Sequence, residues 1–181
     1  RGEMQDMVLE GGNIRLKYDL PARGLIGLRT RLLSVSKGYA VFQQIFKGYE
    51  RMRASIPQRP TGALISKERG QSSGYALWKL QDRGEMFIGA GVDVYPGMIV
   101  GESSKDLDMV INVTKGKQLT NMRTHAADDA IVLTPPRQMS LEECLEFVND
   151  DECVEVTPKN LRLRKIVLDD NDRRRLDSRA S

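Results

Sequence analysis

Apolar and polar residues alternate from Asn13 to Leu20, with Ile14, Leu16, Tyr18 and Leu20 in step. A period of two predicts a half-buried strand, which Pro21 ends. From Leu25 to Leu33 the apolar positions are 25, 26, 28, 32 and 33, with Arg29 and Arg31 between them. That spacing predicts a short amphipathic helix closing near Gly38. Tyr39 to Phe46 is rich in β-formers and predicts another strand. The opening residues, Arg1 to Met7, read as the last turn of an element already begun. The first part of the chain is thus expected to be the tail of a small α/β unit in a longer protein.

A polar stretch with Arg and Pro, Arg51 to Pro60, predicts a linker. Short apolar runs then recur at 62–66, 74–80, 85–88, 98–100 and 109–113, separated by Gly, Pro, Asp and Ser. This rhythm predicts a compact β-rich domain with short strands. Tyr75 to Leu80 alternates, which places the single tryptophan, Trp78, on a strand and in the core. Beyond Pro135-Pro136, Ser140 and Glu143 have the spacing of a capping box. Leu141, Leu145 and Val148 form the apolar stripe of the helix that follows, with Cys144 beside them as a small core residue. Cys153 to Val156 and Leu161 to Val167 predict two strands joined at Pro158-Lys159-Asn160. Asp169 to Arg175 is a charged, helix-compatible tail.

Composition sharpens this picture only when divided. The 181 residues hold 28 Lys and Arg against 25 Asp and Glu, a net charge of +3. Residues 1–57 carry ten basic and five acidic groups, residues 58–157 ten and sixteen, and residues 158–181 eight and four. Seven acids crowd residues 142–155 with no cation among them. Outside that patch the chain carries +10. Two cysteines in a chain of this length fit a reducing compartment, most simply the cytosol. No apolar run approaches the roughly 20 residues of a membrane span.

Several chemistries have no residues to carry them. There is no Walker-type phosphate loop, because Lys115-Gly116-Lys117-Gln118 lacks both the spacing and the Ser/Thr. There is no dinucleotide fingerprint, no nucleophile elbow and no paired-histidine zinc motif. One histidine, His125, and two unpaired cysteines argue against a metal centre, so neither cofactor nor metal is expected in this chain.

Lys115 to Ala127 is the segment with the most distinctive chemistry. It has few large apolar residues, three cations (Lys115, Lys117, Arg123) and no acid. Thr120, Asn121 and His125 add hydrogen-bonding groups. A cationic, polar loop suits the backbone and unpaired ends of structured RNA; a plain surface loop is the alternative. On the last strand, alternation places Arg162 and Arg164 on one face and Leu161, Leu163 and Lys165 on the other. Paired guanidiniums match phosphate oxygens, and a solvated strand face would look the same. The acidic stretch 141–155, expected as helix, offers a third surface, one that would dock a basic protein.

The motifs together resemble the BipA/TypA family of translational GTPases. They include Pro21-Ala22-Arg23-Gly24-Leu25-Ile26-Gly27, Tyr75-Ala76-Leu77 with Leu80-Gln81-Asp82-Arg83-Gly84, and Val94-Tyr95-Pro96-Gly97-Met98-Ile99-Val100-Gly101. The segment Lys115-Gly116-Lys117-Gln118-Leu119-Thr120-Asn121-Met122-Arg123 is similar to the family's G-K-x-L-T-N-M-R. Leu133-Thr134-Pro135-Pro136, Val154-Glu155-Val156-Thr157-Pro158 and Leu161-Arg162-Leu163-Arg164-Lys165 match as well.

The resemblance implies an α+β chain. Residues 1–55 would be the later part of a ferredoxin-like unit, equivalent to the fifth domain of elongation factor G. Residues 56–181 would be a family-specific, β-rich C-terminal domain with one or two helices. It implies a cytosolic, monomeric fragment without catalysis of its own, with GTP and magnesium held by an N-terminal domain of the parent. The implied partners are the ribosome, through large-subunit RNA and proteins, and the acceptor end of A-site tRNA. The implied contacts are Lys115, Lys117, Asn121 and Arg123; His125 is added from the chemistry of the loop itself, and Arg162, Arg164 and Lys165 mostly from charge. Gln118, where relatives often carry a second cation, and Thr124-His125-Ala126-Ala127 depart from the family pattern.

Overall fold

The computed structural model describes residues 2–51, 59–116 and 132–180. The chain divides into two compact units, Arg1–Gln58 and Arg59–Ser181, and the fold is α+β.

The first unit opens with a hairpin, not a helical turn. β1 (Glu3–Glu10) pairs antiparallel with β2 (Asn13–Asp19). Gly11 and Gly12, at φ +56° and +85°, make the two-residue connection that a right-twisted hairpin requires. A 3₁₀ turn at Ala22–Leu25 leads to α1 (Leu28–Val35). The helix closes where Lys37 and Gly38 turn left-handed and the Gly38 N–H donates to the Leu33 carbonyl. The expected strand over Tyr39–Phe46 does not form. Tyr39, Val41 and Ile45 are almost fully exposed, and their β-propensity finds neither a partner strand nor a face to pack on.

The second unit is built on one sheet. Its strands are β3 (Ala63–Ser66), β5 (Gly84–Met86), β7 (Met98–Ser103), β8 (Met109–Ile111), β9 (Glu152–Val156) and β10 (Leu161–Lys165). The order is β8-β3-β7-β10-β9, with β5 also on β7. Among its described strand pairs, only β3–β8 is parallel. A small ribbon joins β4 (Gly70–Gln71) to β6 (Asp93–Val94).

Alternation along the strands gives this sheet two apolar faces. Leu64, Met98, Val100 and Ile111 pack with Leu77 on one side. Ala63, Ile65, Ile99 and Leu163 pack with Cys144 and Phe147 on the other. The two covering elements are α2 (Gly74–Leu80) and α3 (Leu141–Phe147). Cys144 is therefore the core residue its position in the sequence implied. The capping box of α3 is complete, with Ser140 Oγ accepting from the Glu143 N–H and Glu143 accepting from the Ser140 N–H.

α2 corrects the strand expected at 74–80. Ser73 caps it, its Oγ accepting from the Ala76 N–H. Ala76 and Leu77 are buried and Leu80 packs against the core, a helical spacing that a strict alternation cannot satisfy. Trp78 therefore points away from the core and is 43% exposed. With α4 (Asp170–Ala180), the unit has three helices among the described residues rather than one or two.

The Tyr95-Pro96-Gly97-Met98 motif folds as a tight turn. The Met98 N–H donates to the Tyr95 carbonyl at 3.1 Å, Pro96 takes the second position, and Gly97 has φ +81°. The Gly97 N–H donates to Ser66, and its carbonyl accepts from the Lys165 N–H. A Cβ at Gly97 would lie 2.7 Å from Leu168 Cα. Gly97→Ala is expected to lower the unfolding free energy by roughly 2 kcal/mol or more, from left-handed strain and overpacking together. A urea midpoint unchanged from wild type would contradict this.

Candidate nucleic-acid interface

Lys115 stands where the cationic segment leaves the described fold, and its residue is exposed. Its backbone is fixed. Ser73 Oγ donates to the Lys115 carbonyl at 2.7 Å, and the Ser73 N–H donates to Val113. The returning stem is held at the other end of α2, where Gln81 Oε1 accepts from the Thr134 N–H and hydroxyl. Leu133 packs beside the α2-side core. One short helix thus ties both stems of the segment. Lys117, Asn121, Arg123 and His125 lie outside the described residues.

Arg162 and Arg164 lie on β10, on one face as expected, and both are half-buried. Across the strand pair Arg162 meets Glu155 and Arg164 meets Cys153. The Tyr95 hydroxyl donates to Glu155 at 2.6 Å. Burial, then the Glu155 hydrogen bond and charge, hold the phenol above its ordinary pKa, while Arg164 and Arg162 pull the other way. The arginine pair is therefore partly neutralised by an acid on the same face, which charge counting along the chain did not show.

Lys165 departs from its expected place. Its side chain is 2% exposed, and its ammonium lies 2.5 Å from Asp108, 2.6 Å from Asp151 and 2.9 Å from Glu152. It cannot present its charge to RNA. The Glu152 side chain is 0% exposed and also receives Arg59, whose guanidinium donates to both carboxylate oxygens at 2.5 and 2.7 Å. Arg59 in turn lies 4.1 Å above the Phe147 ring and donates to the Phe147 carbonyl. Asp108, Asp151 and Glu152 converge within 4.8 Å, as metal ligands would, but the cation they enclose is the Lys165 ammonium.

This network also revises the acidic stretch 141–155. The helix ends at Phe147, and Glu152 and Glu155 belong to β9. Glu143 caps α3, Asp151 and Glu152 hold Lys165, and Glu155 holds Tyr95. Most of the acids are thus used within the fold. The signal for this was in the sequence: a lysine on the Leu161/Leu163 face needs a buried counter-charge, and seven acids stand close by without cations.

The network sets a pH dependence. Burial alone would raise Asp108 and Glu152, but hydrogen bonds from Lys165 to Asp108, and from Arg59 and Lys165 to Glu152, hold both below their ordinary values. Burial alone would lower Lys165, but its three carboxylate hydrogen bonds raise it. Depressed acids stabilise the fold above their unfolded pKa and lose that contribution as pH falls through the folded value. A raised lysine stabilises it below its unfolded pKa and loses that contribution as pH rises through the folded value. The urea midpoint is therefore expected to hold level from about pH 5 to about pH 10 and to fall on either side. A midpoint unchanged down to pH 3 would contradict the network's role.

Two further features escaped the sequence pattern. Arg59 lies in the polar stretch whose composition predicts a linker, yet its buried guanidinium anchors the second unit there. Tyr75, Trp78 and Lys79 share the outer face of α2, at a helical spacing of three and four that the alternation of the same residues masks in the sequence. Among the described residues no helix is long and apolar enough to cross a membrane.

Comparison with known proteins places this architecture. Residues 1–60 match the family model for the elongation factor G C-terminus. Residues 61–170 match the TypA/BipA C-terminal domain, and the chain belongs to the TypA/BipA family. It is 46% identical over 177 residues to the large ribosomal subunit assembly factor BipA of Haemophilus influenzae. It is 45% identical to that of Salmonella typhimurium and 44% identical to that of Bacillus subtilis. These alignments cover 96–97% of this chain and 29% of each relative, so the chain spans under a third of their length.

Proposed function

We propose that this chain is the ribosome-binding C-terminal region of a translational GTPase that acts on the large ribosomal subunit, in its assembly or in translation under stress. The observation that carries this reading is the 46% identity to a large-subunit assembly factor across 97% of the chain. In this reading GTP and magnesium belong to the part of the parent that the matched relatives have beyond the alignment, and this region binds RNA without catalysis. It works in the cytoplasm, as ribosomes do.

The contact surface is the cationic segment, through Lys115, Lys117, Asn121, Arg123 and His125, and its target is the acceptor end of A-site tRNA with neighbouring ribosomal RNA. The braced stems support this assignment. Ser73 and Gln81 fix where the segment leaves and rejoins the fold, so cations within it are presented from a defined place. Arg162 and Arg164 give a second, weaker phosphate contact because Glu155 faces them. Lys165 takes no part.

Cosedimentation of the chain with purified large subunits tests the reading. Binding that weakens steeply with salt is expected, as phosphate contacts require. Absent or salt-insensitive binding would overturn it.

A further inference from the structure

We infer that Tyr75, Trp78 and Lys79, on the outer face of α2, form a stacking platform for an unpaired RNA base beside the cationic segment. The inference rests on the RNA-binding reading above and adds a site with its own chemistry.

Three observations converge on it. First, α2 is amphipathic in an unusual sense. Ala76, Leu77 and Leu80 supply its buried side, so Tyr75, Trp78 and Lys79 must share the other. Neither aromatic ring belongs to either apolar cluster. Second, the outward side chains are organised. The Tyr75 and Trp78 rings lie 6.4 Å apart at 36°, and Lys79 Nζ sits 4.7 Å above the Tyr75 ring. Lys79 covers one side of Tyr75, while Trp78 remains 43% exposed. Third, α2 is the element whose two ends hold the stems of the cationic segment, at Lys115 and at Thr134. The platform and both described stems of the cationic segment are therefore held by one helix.

An exposed indole next to a lysine on the same helix face matches a nucleobase attached to phosphate. The ring gives its face to the base, and Lys79, on the same helix face, offers charge to the backbone. Helical RNA keeps its bases stacked on one another, so the occupant is a single-stranded or splayed nucleotide. The sequence-tolerant chemistry of stacking selects an unpaired base, not a particular one.

The chain has one tryptophan, so its tryptophan emission, excited selectively away from the tyrosines, reports on this site alone. Titration of the full chain with single-stranded oligoadenylate is expected to quench Trp78 emission and saturate. Inorganic polyphosphate, which has the charge without the base, is expected to leave the emission unchanged. Trp78→Ala should weaken oligoadenylate binding about 5- to 150-fold, measured by anisotropy of labelled RNA, and Trp78→Phe should restore most of it. Equal quenching by polyphosphate, or a Trp78→Ala variant that binds oligoadenylate as wild type does, would overturn the platform. So would a variant that loses affinity for large subunits but not for naked RNA, because the surface would then meet a ribosomal protein. In each of these cases salt-dependent binding of wild type to large subunits would still stand, whereas its absence would remove the wider reading as well.

Discussion

Replacing Lys165 by methionine is expected to lower the unfolding free energy of the unit at 59–181 by about 3–5 kcal/mol, the usual consequence of removing one partner from a buried ion pair. Methionine keeps much of the aliphatic length and removes the charge. The ammonium now holds Asp108, Asp151 and Glu152 within 4.8 Å of one another. Without it, the Glu152 carboxylate, with no exposed side-chain surface, keeps among the described residues only Arg59 as its charged partner, beside two other acids. Water cannot take the place of the lysine at Glu152, so the cost should far exceed the 0–1 kcal/mol of a surface bridge. Trp78 emission against urea follows the loss in this unit specifically.

Two further arms identify the cause. Adding Asp108→Asn and Asp151→Asn to Lys165→Met should recover part of the stability by removing the like-charge crowding. The deficit of the single variant should also shrink as pH falls below about 4, where the acids protonate. A deficit under about 1 kcal/mol, or one independent of pH, would mean that the network is solvated.

The same residues show what could be read from the chain and what could not. The α3 boundary was legible because Ser140 and Glu143 serve each other locally. The β9–β10 turn was legible because Thr157 and Asn160 close it between themselves. The glycine-closed helix at 28–35 and most strands of the sheet were likewise local signals.

What was missed depends on tertiary partners. Tyr75 to Leu80 fits both a period of two and a helical face, and the Ser73 cap with burial of Ala76, Leu77 and Leu80 decided for the helix. Tyr39 to Phe46 has β-propensity but no strand to pair with. Lys165 looks like one more cation until acids 13 and 14 residues earlier, together with Asp108 from a different strand edge, fold around it. The candidate site was legible as chemistry, in the spacing of Lys115, Lys117 and Arg123. Its support by Ser73 and Gln81 was not, since hydrogen bonds spanning 42 and 53 residues leave no local trace.

Lys117→Ala combined with Arg123→Ala is expected to weaken binding to large ribosomal subunits roughly 25- to 60-fold at 0.1 M salt if each cation meets a phosphate. The reasoning is counterion release. Each neutralised phosphate frees about 0.7 to 0.9 of a condensed cation, so two lost contacts remove about 1.4 to 1.8 from the slope of log affinity against log salt. Stability should be unchanged, which separates this pair from Lys165→Met. The latter should leave the affinity of its folded fraction intact, because its charge never faced solvent. Arg162→Ala with Arg164→Ala should change the slope less, since Glu155 already offsets part of their charge.

The measurement that bears most directly on the RNA-facing role of the segment is therefore the salt dependence of large-subunit binding, compared between wild type and the Lys117→Ala/Arg123→Ala variant. The expected result is a steep wild-type line and a variant line shallower by about 1.4 to 1.8, the two converging at high salt. Two parallel lines, or equal affinities at every salt concentration, would contradict it.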